Sequence, residues 1–295
     1  MRKIVIAGGT GFIGSYLVER FRAYGFHVEI ISRSGNGVNW NEKELLSVLE
    51  GAEVVLNLAG KNVNCRLSPI NKEAMINSRV DSTILIGNAI EQCQQPPLLW
   101  INASGTGIYD STGKYPATEI KYARSNSFLA EVVDVWEGTF FKYKLPATRQ
   151  VALRTSVVLG TNGGALEPLA RLSKWFLGGT QGSGKQMMSW IHIEDYFRIL
   201  LFLMEKASLK GVVNCSSPKP VSNKLFMYTL RRKLKRSFGL PAPAFAIKIV
   251  AGIIGVDPGL ILDSSHVKPE KLLSEGYQFV YPTLDLALTD LLRST

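Results

Sequence analysis

The chain has 295 residues, of which 46% are apolar and 20% charged, with 27 glycines and 13 prolines. This excludes disordered, fibrous and low-complexity classes and is enough for about two domains of ~100–200 residues. Three widely spaced cysteines, Cys65, Cys93 and Cys215, with no C-x-x-C pair, exclude a disulfide scaffold and a cysteine-based zinc site, and fit a reducing, cytoplasmic location. The formal net charge of +10 is uneven, because Lys206–Val256 holds ten Lys or Arg and no Asp or Glu.

In chain order, Met1-Arg2-Lys3 lead into an apolar run of only four residues. That is shorter than the ~7–15 of a secretory leader, so it reads as a first strand, Lys3–Ala7. No window reaches the ~18 apolar residues of a membrane span. Ser15–Tyr24 has helical spacing and Gly25 closes it. His27–Ser32 and Glu53–Leu58 read as β-branched strands, Asn71–Cys93 as a helix broken by Pro96-Pro97, and Leu98–Asn102 as the next strand. Ser127–Phe141 is helical, and Val151–Arg154 begins another strand. Strands alternating with helices predict an α/β fold with a doubly wound parallel sheet.

Beyond Gly160 the rhythm changes. Paired glycines at 163–164 and 178–179 bracket a helix, Ile193–Lys206 is an apolar helix, Gly211–Asn214 a last strand and Ser222–Phe238 a basic helix. The expected organisation is a nucleotide-binding domain over 1–160, to which 185–215 returns, with 161–184 and 216–295 forming a smaller, mainly helical C-terminal domain.

Gly8-x-x-Gly11-x-x-Gly14 lies between the first strand and the first helix. Glycine is needed there for the tight turn, for close approach of backbone to a pyrophosphate, and for helix–strand packing. Gly8, Thr10, Gly11, Phe12, Ile13 and Gly14 are the expected cradle, with the helix N-terminus facing the phosphates. NAD-preferring sites carry an acid at the end of the second strand, where this chain has Ser32-Arg33; Glu29 is too early on the strand to substitute. A guanidinium can grip a 2′-phosphate that an acid would repel, so NADP(H) is favoured over a reading of Arg33 as a solvated surface residue. Leu58-Ala59-Gly60 should pass close to the cofactor.

Gly8–Gly14, Asn57–Gly60 and Ser189-Trp190-Ile191-His192-Ile193-Glu194-Asp195 together resemble the extended short-chain dehydrogenase/reductases of the sugar-nucleotide epimerase/dehydratase type. More narrowly, Ser78-Arg79, Thr118-Glu119, Trp136-Glu137, Leu153-Arg154-Thr155 and Gly182-Ser183-Gly184-Lys185-Gln186 resemble the atypical epimerase family protein subgroup, which carries a C-terminal domain of unknown function. The resemblance covers nearly the whole chain. It implies an NADP-binding Rossmann-type fold with a C-terminal substrate cap, and it implies no particular substrate.

The broad family uses Tyr-x-x-x-Lys, in which the lysine lowers the tyrosine pKa. None of the ten tyrosines has Lys four residues on; Tyr16 and Tyr228 have Arg there, and alignment on Trp136-Glu137 puts Leu129 and Val133 at the two positions. After the fourth strand, Ser104 is the expected carbonyl-orienting hydroxyl, with Thr106 as the alternative, and Tyr109 the expected proton donor or else a structural residue. Glu119 reads as a loop cap before an acid. His192 reads as part of a motif stitching two domains. Three isolated histidines have no metal-ligand spacing. Ser222 is a plausible N-cap for the basic helix, whose Arg231, Arg232, Lys233, Lys235 and Arg236 read first as a solvated face. An anionic substrate tail and an acidic lipid or nucleic-acid surface remain as alternatives. The apolar Phe245–Val256, bounded by Pro241, Pro243 and Pro258, has a length suited to packing within its own domain.

Two functions follow. One is an NADP(H)-dependent oxidoreductase acting on a small or nucleotide-linked, anionic substrate, with no metal and in a homodimer. The other is a non-catalytic NADP(H)-binding redox sensor or regulatory protein, related to cell division.

Overall fold

A computed structural model describes residues 2–33, 35 and 37–293. Its elements in chain order are β1 (Lys3–Ala7), α1 (Phe12–Ala23), β2 (His27–Ile31), α2 (Glu42–Leu49), β3 (Val54–Asn57), α3 (Pro69–Gln92) and β4 (Leu99–Gly105). They continue with α4 (Phe128–Phe140), β5 (Arg149–Thr155), β6 (Val157–Leu159), α5 (Leu166–Lys174), β7 (Met187–Met188), β8 (Trp190–His192) and α6 (Ile193–Glu205). The last are β9 (Gly211–Cys215), β10 (Val221–Ser222), α7 (Asn223–Lys233), α8 (Ala244–Ile254), α9 (Gly259–Leu262), α10 (Glu270–Ser274) and α11 (Leu284–Leu291).

Among the described residues, the central sheet has the order β2-β1-β3-β4-β5-β9 and every pair in it is parallel. Parallel strands need both faces covered, and the residue pattern supplies this with period two. Ile4, Ile6, Leu56, Ile101 and Leu153 face Leu17 and Phe21 of α1 and Phe197 and Leu200 of α6. The alternate residues Val5, Val55, Trp100 and Ala152 face Leu45 of α2, Ile86 and Ile90 of α3 and Phe140 of α4. The chain leaves β1 toward β2 on one side and later fills β3 on the other. The strand order therefore reverses at β1, and the crevice of such a sheet opens there, beyond the strands' C-terminal ends. A third core, with Leu166, Trp190, Phe226, Leu230 and Leu288, holds α5, α7 and α11 together beside the sheet.

Besides the short strands β6, β7, β8 and β10, which the sequence does not announce, the elements depart from expectation in four places. Helix α1 starts at Phe12, directly after the glycine turn, and Gly25 (φ +89°) follows its C-terminal end. Helix α2 was not expected. Asn41 caps it by accepting from Glu44 N–H while Asn39 N–H donates to the Glu44 carboxylate, and Leu45, Val48 and Leu49 are buried. Helix α7 stops at Lys233 rather than Phe238, because Leu234 caps it and Lys235 turns into the left-handed region (φ +56°); Ser222 is its N-cap, accepting from Leu225 N–H. Helix α8 does not pack as its composition suggests: only Ile247 and Ala251 are buried.

Candidate functional site

A cleft of ≈ 500 Å³ opens at the C-terminal ends of β1, β2 and β3. Gly8, Thr10, Gly11, Ser32, Arg33, Leu58, Ala59 and Gly60 line it, together with Ile31, Trp40, Ser78, Asp81, Ser82 and Leu85. Its floor is built on two close approaches. Gly8 has φ +80°, and a Cβ on Gly14 would stand 2.2 Å from the Gly8 carbonyl oxygen, so only glycine lets α1 start this near β1. Gly11 caps α1 with no side-chain acceptor and no acid lies in the first turn. The N–H groups that begin the helix are thus left for an anion. Phe12, Ile13 and Gly14 do not line the cleft. The Phe12 ring sits where side chains at Gly160, Gly163 or Gly164 would project, anchoring the helix to the later loop.

The wall over β3 is fixed by a buried amide pair. Asn57 donates through Nδ2 to Asn102 Oδ1 at 2.8 Å, while its own Oδ1 accepts from Ala59 N–H at 3.1 Å. The turn Leu58–Gly60 is therefore held by the sheet itself. The opposite wall is one stripe of α3: Ser78, Asp81, Ser82 and Leu85 stand at i, i+3, i+4 and i+7. This spacing was readable in the chain but was absorbed into the helix's general periodicity. Trp40 had no periodic signal at all. Arg33 is exposed at the rim, and Ser32 is buried beside it.

A second polar cluster lies at the ends of β4, β5 and β9. Glu137 of α4 accepts from Ser104 Oγ at 2.6 Å and takes a two-pronged grip from Arg154, Nε to Oε1 at 2.8 Å and Nη2 to Oε2 at 2.7 Å. Arg154 Nη1 donates to the Tyr109 hydroxyl at 2.9 Å, and that hydroxyl donates to Asn214 Oδ1 at 2.7 Å. Glu119 completes the chain, accepting from the backbone N–H of Asn214 and of Glu270. The side chains of Arg154 and Glu137 are 4% and 11% exposed. Burial pushes the Tyr109 phenol up to about 12, although Arg154 pulls it back. Burial likewise holds the Glu119 carboxyl above its ordinary value. Three of the motifs singled out by resemblance, Thr118-Glu119, Trp136-Glu137 and Leu153-Arg154-Thr155, thus bring Glu119, Glu137 and Arg154 into one network. Their separation along the chain concealed it.

Leu129 and Val133 of α4 lie against the turn after β4: side chains built at Gly107 and Gly105 would meet them at 2.9 and 3.6 Å. Thr106 is half-buried in the same turn. His192 lies apart from both clusters. It caps α6 through Nδ1, which accepts from Glu194 N–H at 3.0 Å, and stacks on Tyr281 at 3.8 Å. The neighbouring Asp195 accepts from Val280 N–H and Tyr281 N–H, which ties the C-terminal segment to the sheet domain. Among the described residues no cluster of His, Cys, Asp or Glu is placed to hold a metal, and no helix is long and apolar enough to cross a membrane.

The reversal at β1, the glycine turn and the cleft define an α/β protein of the doubly wound, Rossmann type. Residues 4–216 match the NAD dependent epimerase/dehydratase family and residues 242–291 match a domain of unknown function, DUF1731. An epimerase family protein of Staphylococcus haemolyticus is 34% identical over 300 residues, covering 99% of each chain. The crystal structure of the human epimerase family protein SDR39U1 with NADPH superposes with a TM-score of 0.89 at 31% identity, covering 98% of each chain. The Thermus thermophilus UDP-glucose 4-epimerase with NAD shares the fold, with a TM-score of 0.74 at 16% identity over 99% of this chain and all of that one. The chain belongs to the NAD dependent epimerase/dehydratase family, in its epimerase family protein branch.

Proposed function

We propose that the protein is an NADP(H)-dependent oxidoreductase whose substrate is a small or nucleotide-linked carbonyl compound or its reduced partner. The observation that carries this reading is the pair Ser32-Arg33 on the cleft lining, at the end of β2 where an acid would select against a 2′-phosphate. The cradle fits a dinucleotide: glycine at 14 lets α1 start against the Gly8 carbonyl, and the uncapped N-terminus of α1 accepts an anion without rearrangement. The backbone of Gly8–Gly14 would hold the pyrophosphate, Ser32 and Arg33 the 2′-phosphate, and Ile31, Trp40, Leu58 and Leu85 an apolar ring. The SDR39U1 structure, at 31% identity, contains NADPH, which supports the phosphorylated coenzyme. Three free thiols fit a reducing, cytoplasmic compartment.

When bound, such a coenzyme supplies or accepts a hydride. The chain's part is to orient and polarise the substrate, and Ser104 and Tyr109 are the proposed hydroxyls. Both are engaged, on Glu137 and Asn214, so a substrate carbonyl would have to take over one of these bonds. With its phenol pushed up to about 12, Tyr109 stays protonated at neutral pH and acts as a hydrogen-bond donor rather than a base. A substrate that is already electron-poor needs no more than this.

A second reading, a regulatory protein that binds NADP(H) without turnover, draws on Leu129 and Val133, apolar where the family's Tyr-x-x-x-Lys pair stands. One experiment separates the two. The protein is titrated with NADPH and NADH, then incubated with NADPH and a panel of carbonyls, quinones and imines beside the Ser104→Ala/Tyr109→Phe variant. Turnover lost in the variant supports the enzyme. Tight NADPH binding with no turnover anywhere supports the sensor, and equal affinity for the two coenzymes removes the basis of both.

A further inference from the structure

The least expected surface of the molecule is apolar. Helix α8 is seated by Ile247 and Ala251 and by Arg66, whose Nη2 donates to Gly252 O at 2.6 Å. At about 100° per residue, Phe245, Ile249 and Ile253 form one stripe opposite that seat, and the exposed Val250 and Ile254 flank it. Phe245 is 68% exposed and Ile253 79%.

The segment leading into α8 carries more of the same. Leu240 N–H donates to Phe176 O at 2.7 Å and Ala242 N–H to Thr180 O at 2.9 Å, so residues 176–180 run beside 240–242. Trp175 (76% exposed), Phe176, Leu177, Phe238 and Leu240 are all exposed along these two segments. Scattered surface apolar residues are ordinary; a cluster of this size is not.

Charge says what covers it. There is no acid between Pro168 and Ile193 or between Lys206 and Val256. Arg232 and Lys233 are held by Asp285. Lys174, Lys235, Arg236 and Lys248 have no acidic partner among the described residues, and Arg236 lies over the Phe176 ring at 5.3 Å. Asp257, the first acid after the helix, accepts from Gly259 N–H instead. A second copy docked about a twofold axis would bring this positive rim against itself. An anionic lipid leaflet offers both an apolar interior and the opposite charge.

We propose that α8 and the adjoining segments 175–177 and 238–240 form a peripheral docking face for anionic phospholipid bilayers, with Phe245, Ile249, Ile253 and Trp175 entering the interface and Lys174, Lys235, Arg236 and Lys248 contacting headgroup phosphates. This is independent of the coenzyme reading.

Co-sedimentation with phosphatidylcholine vesicles, with and without about 30% phosphatidylglycerol, tests it at low and high salt. The full chain should bind the anionic vesicles at least ~10-fold more tightly, and the preference should fade with salt. Phe245→Ser/Ile249→Ser/Ile253→Ser should weaken binding at least ~100-fold. Lys235→Gln/Arg236→Gln/Lys248→Gln should bring the two vesicle types within ~3-fold of each other. Unfolding curves matching the wild type establish that each variant is folded. Absence of binding to anionic vesicles overturns the proposal, as does a serine variant that binds undiminished. So does sedimentation showing that the serine changes dissociate a stable homodimer, since the face would then be covered by its own copy.

Discussion

Replacing Glu137 by Gln removes one charge from a site with almost no water. The carboxylate receives three hydrogen bonds, two from Arg154 and one from Ser104, at 2.6–2.8 Å, and neither member of the ion pair is more than 11% exposed. An amide of the same shape keeps one acceptor and turns an N–H toward guanidinium donors. Breaking one side of such a buried pair costs about 3–5 kcal/mol, because the surviving charge stays desolvated. For 295 residues, at about 2.1 cal/mol/K per residue, the unfolding entropy is roughly 620 cal/mol/K, so the loss corresponds to a fall in Tm of ~5–8 °C. Calorimetry at neutral pH reads it directly. The double change Glu137→Met/Arg154→Leu should restore most of the stability, since neither charge is then left buried. If the network positions Tyr109 for the proposed NADPH turnover, the restored protein lacks that turnover; if it is only a brace, any turnover of the wild type returns with stability. A Glu137→Gln Tm within ~1 °C of wild type would refute the picture of a desolvated, mutually dependent pair.

Arg33→Ala should weaken NADPH binding by ~10–100-fold and NADH binding by less than ~3-fold, as loss of charge-assisted contacts to one phosphate requires; isothermal titration of both coenzymes checks it, and parallel losses would count against a 2′-phosphate contact. Gly14→Ala should cost at least ~2 kcal/mol of stability together with coenzyme affinity, since the added Cβ meets the Gly8 carbonyl with no room to relax; urea unfolding and the same titration measure the two effects. Burial lowers the His192 pKa to about 4, while the unfolded chain titrates near ~6.5. Between these values the unfolded chain binds the extra proton, so this residue's contribution to stability is complete above ~6.5 and falls by up to ~1.4 kcal/mol per unit as pH drops toward 4. His192→Asn keeps a capping acceptor but does not titrate, and unfolding curves across that window should show a shallower slope than wild type; parallel slopes would exclude the assignment.

What could be read from the chain was what is encoded locally. The glycine turn is legible because the approach of Gly14 to the Gly8 carbonyl is solved within seven residues. The alternation of Ile4-Val5-Ile6 between two apolar layers likewise announces a strand covered on both faces. Helix α2 is equally readable in Asn41-x-x-Glu44 and the apolar Leu45, Val48 and Leu49, although this short signal is diluted by polar neighbours. The end of α7 was not readable. Lys235 takes a left-handed conformation without being glycine or asparagine, and the basic run has ordinary helix propensity. The network joining Ser104, Tyr109, Glu137, Arg154 and Asn214 spans 110 residues of chain and exists only because β4, β5 and β9 are neighbours. Helix α8 misled for the opposite reason. Its composition is that of a core helix, and nothing local says whether a partner element will arrive to cover it.

The C-terminal segment is tied to the sheet by polar groups with fixed partners as well as by the buried side chains of Val267, Leu272 and Tyr277. Asp195 holds Val280 and Tyr281, Glu119 bridges Asn214 to Glu270, and Ser189 accepts from Val267 N–H at 2.8 Å. Sliding that segment over the sheet would break these hydrogen bonds together and uncover the apolar side chains beside them. Rigid-body displacement of the C-terminal segment is therefore disfavoured. Among the described residues helix α8 is held more lightly, by two buried side chains and an Arg66 bond to a backbone carbonyl. Hydrogen exchange should find α8 amides opening at far lower free energy than those of α6 or β5. Uniform protection across α6, α8 and β5 would show instead that the apolar helix is as firmly seated as the core.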